Sequence, residues 1–278
     1  MKSPRLKKSL GQHHLRQGGL CRPLVEFLQP AEARVMEVGA GGGVLTLELL
    51  AAGAAAVVAW EYDLDWAFAL RRQTDDDRLS LVVADALDLA WDRCPAETLV
   101  AGNLPYGIGT ALIERLLAQA EPVSIPRAAF LVQLEVAERL LAAPGSPAYG
   151  GLSVLTAARA EPRLLGRVSK GSFRPPPKVD GAFVGLTLKA PPVTREGMVE
   201  LAATIRLAFA YRRKTLRNSL AAGWGPAKAT AVCDELGLGA NTRAQELTLG
   251  DFVRLHQAAK ISLASHGGSP TGPPQKSF

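Results

Sequence analysis

The sequence predicts an α/β protein: a doubly wound, mostly parallel sheet followed by a small C-terminal α-helical domain. Three observations carry this. Short apolar runs alternate with helical stretches through the first half of the chain. A glycine cluster, Gly39-Ala40-Gly41-Gly42-Gly43, follows the first of those runs. Beyond Ala190-Pro191-Pro192, which reads as a linker, amphipathic helical patterns take over.

Ala33 to Val38 reads as the first strand, and a helix from Val44 to Ala52 follows the glycines. Val57 to Trp60 is the second strand, ending at Glu61, with a helix from about Asp65 to Arg72. Leu79 to Ala84 is the third, ending at Asp85. Thr98 to Ala101 is the fourth and runs straight into Asn103. A helix from Thr110 to Gln119 and a strand from Ala128 to Gln133 continue the alternation. Ligands of such sheets bind beyond the carboxyl ends of the strands, where Gly39, Glu61, Asp85 and Asn103 all fall. The sheet domain is expected over 1–189 and the helical domain over 190–262. The latter comprises helices at Met198–Phe209, Arg212–Leu220, Ala227–Leu236 and Leu249–Ala259. Residues 263–278, rich in Gly, Ser and Pro, read as a disordered tail.

Composition bounds the function. With 278 residues and 47% hydrophobic content the chain can bury one large core and a smaller one. No run of eighteen apolar residues and no hydrophobic signal segment after the basic start argue against a membrane span or secretion, so a cytoplasmic protein is expected. Cys21, Cys94 and Cys233 lack metal or disulfide spacing, and His13, His14, His256 and His266 do not build a zinc site, so no metal is expected. The net charge of +6 is compatible with nucleic acid. Its distribution is more telling, with four cations in the first eight residues and Arg206, Arg212, Arg213, Lys214 and Arg217 later. Two such clusters flanking a catalytic core favour a polyanion.

The glycine loop departs from both nucleotide fingerprints. G-x-G-x-x-G would need glycine where Val44 stands, and Gly-Lys-Ser/Thr is absent. A glycine loop that includes Gly39 and Gly41, with an acid ending the next strand, suits a nucleoside without phosphates: Glu61 for the ribose hydroxyls, Asp85 with Ala86 for an adenine amine. S-adenosylmethionine is such a ligand. The tetrapeptide Asn103-Leu104-Pro105-Tyr106 suits the other half of a methyl transfer. An adenine amine is a poor nucleophile because its lone pair is delocalised into the ring. Asn103 and the carbonyl before Pro105 offer two acceptors for its hydrogens, and Tyr106 offers a ring for stacking.

Six segments in order resemble the ribosomal small-subunit RNA adenine N6-dimethyltransferase family, over roughly residues 5 to 258. They are Lys7-Lys8-Ser9-Leu10-Gly11-Gln12, Glu37-Val38-Gly39-Ala40-Gly41, Asn103-Leu104-Pro105-Tyr106, Gln133 to Leu140, Phe173 to Asp180, and Arg212 to Asn218. The resemblance implies a Rossmann-like S-adenosylmethionine-dependent methyltransferase sheet. It places the donor against His13, Leu15, Gly39, Glu61, Asp85 and Asn103. The target adenine is held by Asn103 and the Leu104 carbonyl, between Tyr106 and Phe173. Phe173 precedes three prolines that stiffen its segment; a core position is the competing reading. Lys178 and Asp180 read as structural. The basic stretch at Arg212, Arg213, Lys214 and Arg217 would rest on RNA phosphates. The implied partner is 16S rRNA in the small ribosomal subunit or its precursor, with the enzyme a monomer and S-adenosylmethionine the cofactor.

The chain departs from the family in three places. Gly11-Gln12-His13-His14-Leu15 stands where Gly-Gln-Asn-Phe-Leu is usual, Gly107-Ile108-Gly109-Thr110 follows the tetrapeptide, and Gly181 follows Asp180 where serine is usual. Two glycines there are expected to loosen the start of a helix. Two alternatives stay open at this level: an Erm-type enzyme acting on large-subunit RNA, and a non-catalytic ribosome-assembly factor. Leu104 and the run Pro175 to Pro177 favour the small subunit.

Overall fold

A computed structural model describes Pro4, residues 12–211 and residues 213–264, with side chains up to Ile261. The chain divides into two compact units between Val199 and Glu200.

The first unit is built on a seven-stranded sheet. Its strands are β2 (Arg34–Val38), β3 (Ala56–Glu61), β4 (Leu79–Val83), β5 (Leu99–Asn103), β6 (Arg127–Gln133), β7 (Ala160–Val168) and β9 (Gly181–Leu188), in the order β4-β3-β2-β5-β6-β9-β7. The first five are mutually parallel; β9 runs antiparallel to both β6 and β7. Inner parallel strands are covered on both faces, which explains why β5 is buried along its length until Asn103. Helices α1 (Arg22–Leu28), α2 (Val44–Ala51), α3 (Leu64–Arg71), α4 (Gly109–Gln119), α5 (Leu134–Leu141) and α6 (Gly151–Arg159) accompany the sheet. A separate two-stranded ribbon pairs β1 (His14–Leu15) with β8 (Phe173–Arg174), His14 opposite Arg174 and Leu15 opposite Phe173. Strand order reverses between β2 and β5, so the crevice beyond Val38 and Asn103 is the sheet's topological switch point.

The expected strands are all present, with ends that agree to within two residues. The antiparallel pair β7 and β9 goes beyond them. β7 is an edge strand, which accommodates Pro162 and a bulge between Leu164 and Gly166. The domain boundary falls later than the Pro191-Pro192 linker, inside helix α7 (Arg195–Phe209).

The second unit continues from α7 with α8 (Leu216–Trp224), α9 (Pro226–Glu235) and α10 (Leu249–Ala264). Lys260 on α10 pairs with Glu200 on α7 at 2.7 Å, and Arg217 on α8 pairs with Asp234 on α9. Gly225 at φ 82 closes the α8 end, and Pro226 opens α9 at a position where a missing N–H does no harm. The helix expected over Arg212–Leu220 is displaced along the chain: α8 begins at Leu216, with Thr215 as its N-cap, and runs to Trp224. α10 reaches Ala264, two residues into the tail expected over 263–278; the rest of that expectation, residues 265–278, lies outside the described residues. Among the described residues no helix is long and apolar enough to cross a membrane.

Arg159 is a buried polar fixture that ties α6 to the end of α4. Fully buried, it donates from Nε to the Leu117 carbonyl at 2.8 Å and from Nη2 to the Ala120 carbonyl, satisfying the C-terminus of α4. Replacing it by leucine leaves two carbonyls without partners. We expect Arg159→Leu to lower stability by about 2 kcal/mol, measured by urea unfolding, with Arg159→Lys recovering only part because it lacks the guanidinium fork.

Candidate functional site

The carboxyl ends of β2, β3, β4 and β5 and the ribbon strand β1 enclose a cavity of about 450 Å³. Its walls include His13, His14 and Leu15, the glycine loop from Gly39 to Gly42, Glu61, Asp85 and the whole of Asn103 to Tyr106. The structure thus brings together every sequence-predicted donor residue. Of the adenine-side residues it brings in all but Phe173.

On the donor side the glycine loop is pinned from two directions. Gly39 N–H donates to the Trp60 carbonyl at 2.8 Å, and Gly41 N–H donates to Glu61 Oε2 at 2.7 Å. Gly41 has φ 51, and a Cβ there would lie 2.5 Å from the His14 ring, so both backbone and space demand glycine. Glu61 Oε1 accepts from Asp63 N–H at 2.8 Å, which sets the carboxylate at the strand end with backbone N–H groups on both oxygens. Lone-pair capacity beyond these remains for the hydroxyls of a ligand. Burial raises the Glu61 pKa, against the lowering effect of the Asp63 and Gly41 N–H groups. Asp85 accepts from Leu87 N–H at 2.8 Å, which turns the chain and leaves it half-buried in the wall beside Ala86. A cavity of this size, with a close-approach loop and carboxylates on two successive strand ends, fits a nucleoside-bearing donor.

On the acceptor side Asn103 Nδ2 donates to the His13 carbonyl at 3.0 Å. A carbonyl partner assigns the amide orientation: nitrogen toward His13, and Oδ1 available as an acceptor. The chain then turns tightly, because the Pro105 carbonyl accepts from both Ile108 and Gly109. Leu104 N–H donates to the Leu131 carbonyl at 3.1 Å, tying the turn to β6. Tyr106 lies 5.2 Å from the His13 ring, tilted by 39°. Its hydroxyl is buried without a hydrogen-bond partner among the described residues, and burial pushes its pKa up to about 12. Gly109, expected to slacken α4, instead starts it: a Cβ there would sit 3.2 Å from the Leu104 Cβ, so glycine permits the close turn.

Two histidines stand where the family has Asn-Phe, and both are held. His13 Nδ1 donates to the Pro175 carbonyl at 2.8 Å, which leaves its Nε2 as the acceptor tautomer. His14 Nδ1 accepts from Gly42 N–H at 3.1 Å, and its ring stacks on Trp66 at 4.3 Å. Burial, and then the neighbouring His13, lower its pKa to about 4, so it is the neutral form that caps the loop.

Phe173 corrects the sequence expectation. It is 0% exposed and belongs to the apolar core with Leu15, Leu131 and Phe183, so its ring is not a wall of the cavity. Its backbone matters more: the Phe173 carbonyl accepts from Arg16 Nε at 3.1 Å, and the Ser172 carbonyl accepts from Arg16 N–H at 3.0 Å. Of the expected phosphate-binding cations, Arg212 lies outside the described residues. Arg213 and Lys214 sit in the turn before α8, with Lys214 Nζ over the Tyr211 ring at 4.5 Å. Arg217 is engaged with Asp234. The basic start of the chain, through Gly11, is outside the described residues apart from Pro4. No group of three metal-ligating side chains occurs among the described residues.

Glu37 was not singled out as a site residue. It is fully buried in β2, lines the cavity, and accepts from Thr46 Oγ1 at 2.6 Å. Burial raises its pKa to about 7, with Thr46 opposing and Glu61 adding to the rise. A carboxylate inside an otherwise apolar strand was the signal available. Trp60, Tyr62 and Ile108 also line the cavity without a distinguishing pattern in the sequence.

Comparison with known proteins agrees with this geometry. Residues 4–260 match the family described as ribosomal RNA adenine dimethylase. The chain is 37% identical to the ribosomal RNA small subunit methyltransferase A of Maricaulis maris, over 91% of this chain and 90% of that one. It is 40% identical to the protein of the same name from Methylobacterium radiotolerans, over 96% and 92%. Among solved structures it resembles a dimethyladenosine transferase from Plasmodium falciparum, with a TM-score of 0.71, 23% identity and coverage of 92% and 98%. It also resembles the 23S rRNA methyltransferase ErmE, with a TM-score of 0.57, 25% identity and the same coverage.

Two outcomes follow from the buried groups. Glu37 titrates near 4.5 when unfolded and near 7 when folded. Below the lower value both states hold the proton. Between the two only the unfolded chain ionises, so stability falls by about 1.4 kcal/mol per pH unit. Above the upper value the loss levels off. The urea midpoint of the parent protein measured relative to Glu37→Gln should therefore decline across this range, the opposing contribution of His14 and the further one of Glu61 being common to both proteins. Phe173→Ala should cost about 3–5 kcal/mol of stability, as a core truncation does. Lost methyl transfer at unchanged stability would instead restore the stacking role.

Proposed function

The chain belongs to the ribosomal RNA adenine dimethylase family, and from that premise we propose that it dimethylates N6 of adenines near the 3′ end of 16S rRNA. The methyl donor is S-adenosylmethionine, and the substrate is the small ribosomal subunit or its precursor. The protein acts as a cytoplasmic monomer. The observation that carries the reading is the fixed orientation of Asn103, whose Nδ2 is taken by the His13 carbonyl so that Oδ1 serves as acceptor.

The residues divide the reaction between them. Gly39 and Gly41 allow the donor to approach the loop backbone; Glu61 and Asp85 accept from its hydroxyl and amine groups. When bound, the donor supplies a sulfonium methyl: the N6–carbon bond forms as the carbon–sulfur bond breaks, the electron pair stays on sulfur, and the proton leaves the amine to solvent. Asn103 Oδ1 and the Leu104 carbonyl accept from the amine and draw its lone pair out of conjugation. They favour the tetrahedral nitrogen over the planar ground state, which is differential binding of the transition state. Tyr106 supports the base face, in a site reached only by an unstacked adenine. The rest is positioning of two reactants at near-attack distance.

Sequence evidence favours the small subunit over an Erm-type target, since the curated relatives matched are small-subunit enzymes and the similarity to ErmE is of lower identity. Transfer of labelled methyl to under-methylated small subunits, beside large subunits, tests this. We expect dimethyladenosine in small-subunit RNA alone, and a fall of about 10²–10³-fold in kcat/KM for Asn103→Ala. Label in the large subunit only, or in neither, overturns the reading.

A further inference from the structure

Between Pro162 and Asp180 the chain carries five cations, Arg163, Arg167, Lys170, Arg174 and Lys178, and one acid, Asp180. Over the whole chain the balance is 32 to 26, so this segment holds a local excess. All five cations are exposed, and none makes an ion pair among the described residues. Asp180 is occupied, its Oδ1 accepting from Lys170 N–H at 2.9 Å.

Sheet register places these cations beside the cavity. Asn103 pairs with Leu131, Leu131 with Phe183, and Phe183 with Gly166, so Gly166 shares a row with Asn103. Three strand spacings separate the two, about 14 Å. β7 runs in the same direction as β5, so Arg167 and the turn carrying Lys170 lie at the carboxyl end of the sheet, the end on which the cavity lies. The chain then returns through β8. Arg174 stands opposite His14, which caps the glycine loop, and the next residue, Pro175, holds His13 at the cavity wall. Charge on an edge strand guards it against pairing with other chains, which accounts for Arg163 and applies also to Arg167 on β7 and Arg174 on the ribbon strand β8. Lys170 and Lys178 lie outside any strand and are not explained that way.

We propose that Arg167, Lys170, Arg174 and Lys178 form a phosphate-binding track for the single-stranded RNA segment whose adenine enters the cavity. The track lies in the first unit. It rests on the reading that the substrate is RNA. Its four cations contact phosphates rather than bases, so it sets the position of the strand and not its sequence preference.

The test compares the full-length protein with the fourfold variant Arg167→Gln, Lys170→Gln, Arg174→Gln, Lys178→Gln. A control, Arg71→Gln with Arg72→Gln, removes exposed charge from α3 and the turn after it, toward the opposite edge of the sheet. Affinity for an adenine-rich single-stranded RNA is measured across a salt series, with donor affinity and thermal unfolding alongside. We expect binding at least tenfold weaker in the fourfold variant and a salt slope shallower by roughly 2 to 3, since each phosphate contact with a single strand contributes about 0.7. Donor affinity and melting stay as in the parent. The single variants Lys170→Gln and Lys178→Gln should each lower the slope by about 0.7. An unchanged slope in the fourfold variant, or an equal fall in the control, overturns the track. Absence of methyl transfer by the parent protein would bear on the proposed reaction alone, because the salt slopes decide the track without it.

Discussion

The hydrogen bond from Asn103 Nδ2 to the His13 carbonyl joins residues ninety positions apart and holds the two halves of the site in one geometry. Asn103 alone is an amide that can present either end. Once nitrogen is committed to a carbonyl, oxygen faces the other way, and only then is there an acceptor for an amine. His13 is itself fixed from the far side, by Pro175 and by the pairing of β1 with β8. The orientation of one side chain at the switch point therefore depends on a ribbon outside the main sheet. Leu15 and Phe173 anchor that ribbon by burying their side chains in the core. The core role of Phe173 is thus not separate from function: its burial holds the strand that holds His13.

His14 extends the same ribbon to the donor side. A phenylalanine in its place could stack on Trp66 but could not accept from Gly42 N–H. The imidazole does both while neutral, and burial keeps it neutral across the physiological range. The two substitutions that set this chain apart from the family's usual Asn-Phe therefore do not leave the ribbon loose. Each histidine takes up a specific backbone partner.

Much of this was legible in the sequence. Parallel inner strands are buried on both faces, so Val57–Trp60 and Thr98–Ala101 read as plain apolar runs, and the polar residues that end them mark the ligand side. The antiparallel pair was harder. β7 carries a proline, two arginines and a bulge, which erase the alternation a strand should show. β9 contains Gly185, where a Cβ would lie 2.7 Å from the Phe27 ring; close packing against that ring, not strand preference, explains the residue. Phe173 read as a stacking ring from the family resemblance, with the three prolines after it as support and a core position as the competitor, yet a local stiffness signal does not say which way a ring points. Glu37 was hidden differently. Its burial depends on Thr46 and on the strands flanking β2, none of which a single strand reveals.

The distribution of charge also separates what may enter the cavity from what must remain outside. Glu37, Glu61 and Asp85 line it, and the first two are buried. A phosphate brought among them would meet like charge in a medium that screens poorly, and an anion there would lack a counter-ion. A neutral base meets no such barrier and finds acceptors for its amine. The cations lie on the rim and edge instead, exposed to water, where phosphates keep part of their hydration and attraction acts at longer range. On the proposed reading a nucleic-acid strand would be held at the edge of the sheet by its backbone, and only its base would enter the interior. Adenine selection at Asn103 would then work on a neutral group, for which a small set of acceptors suffices.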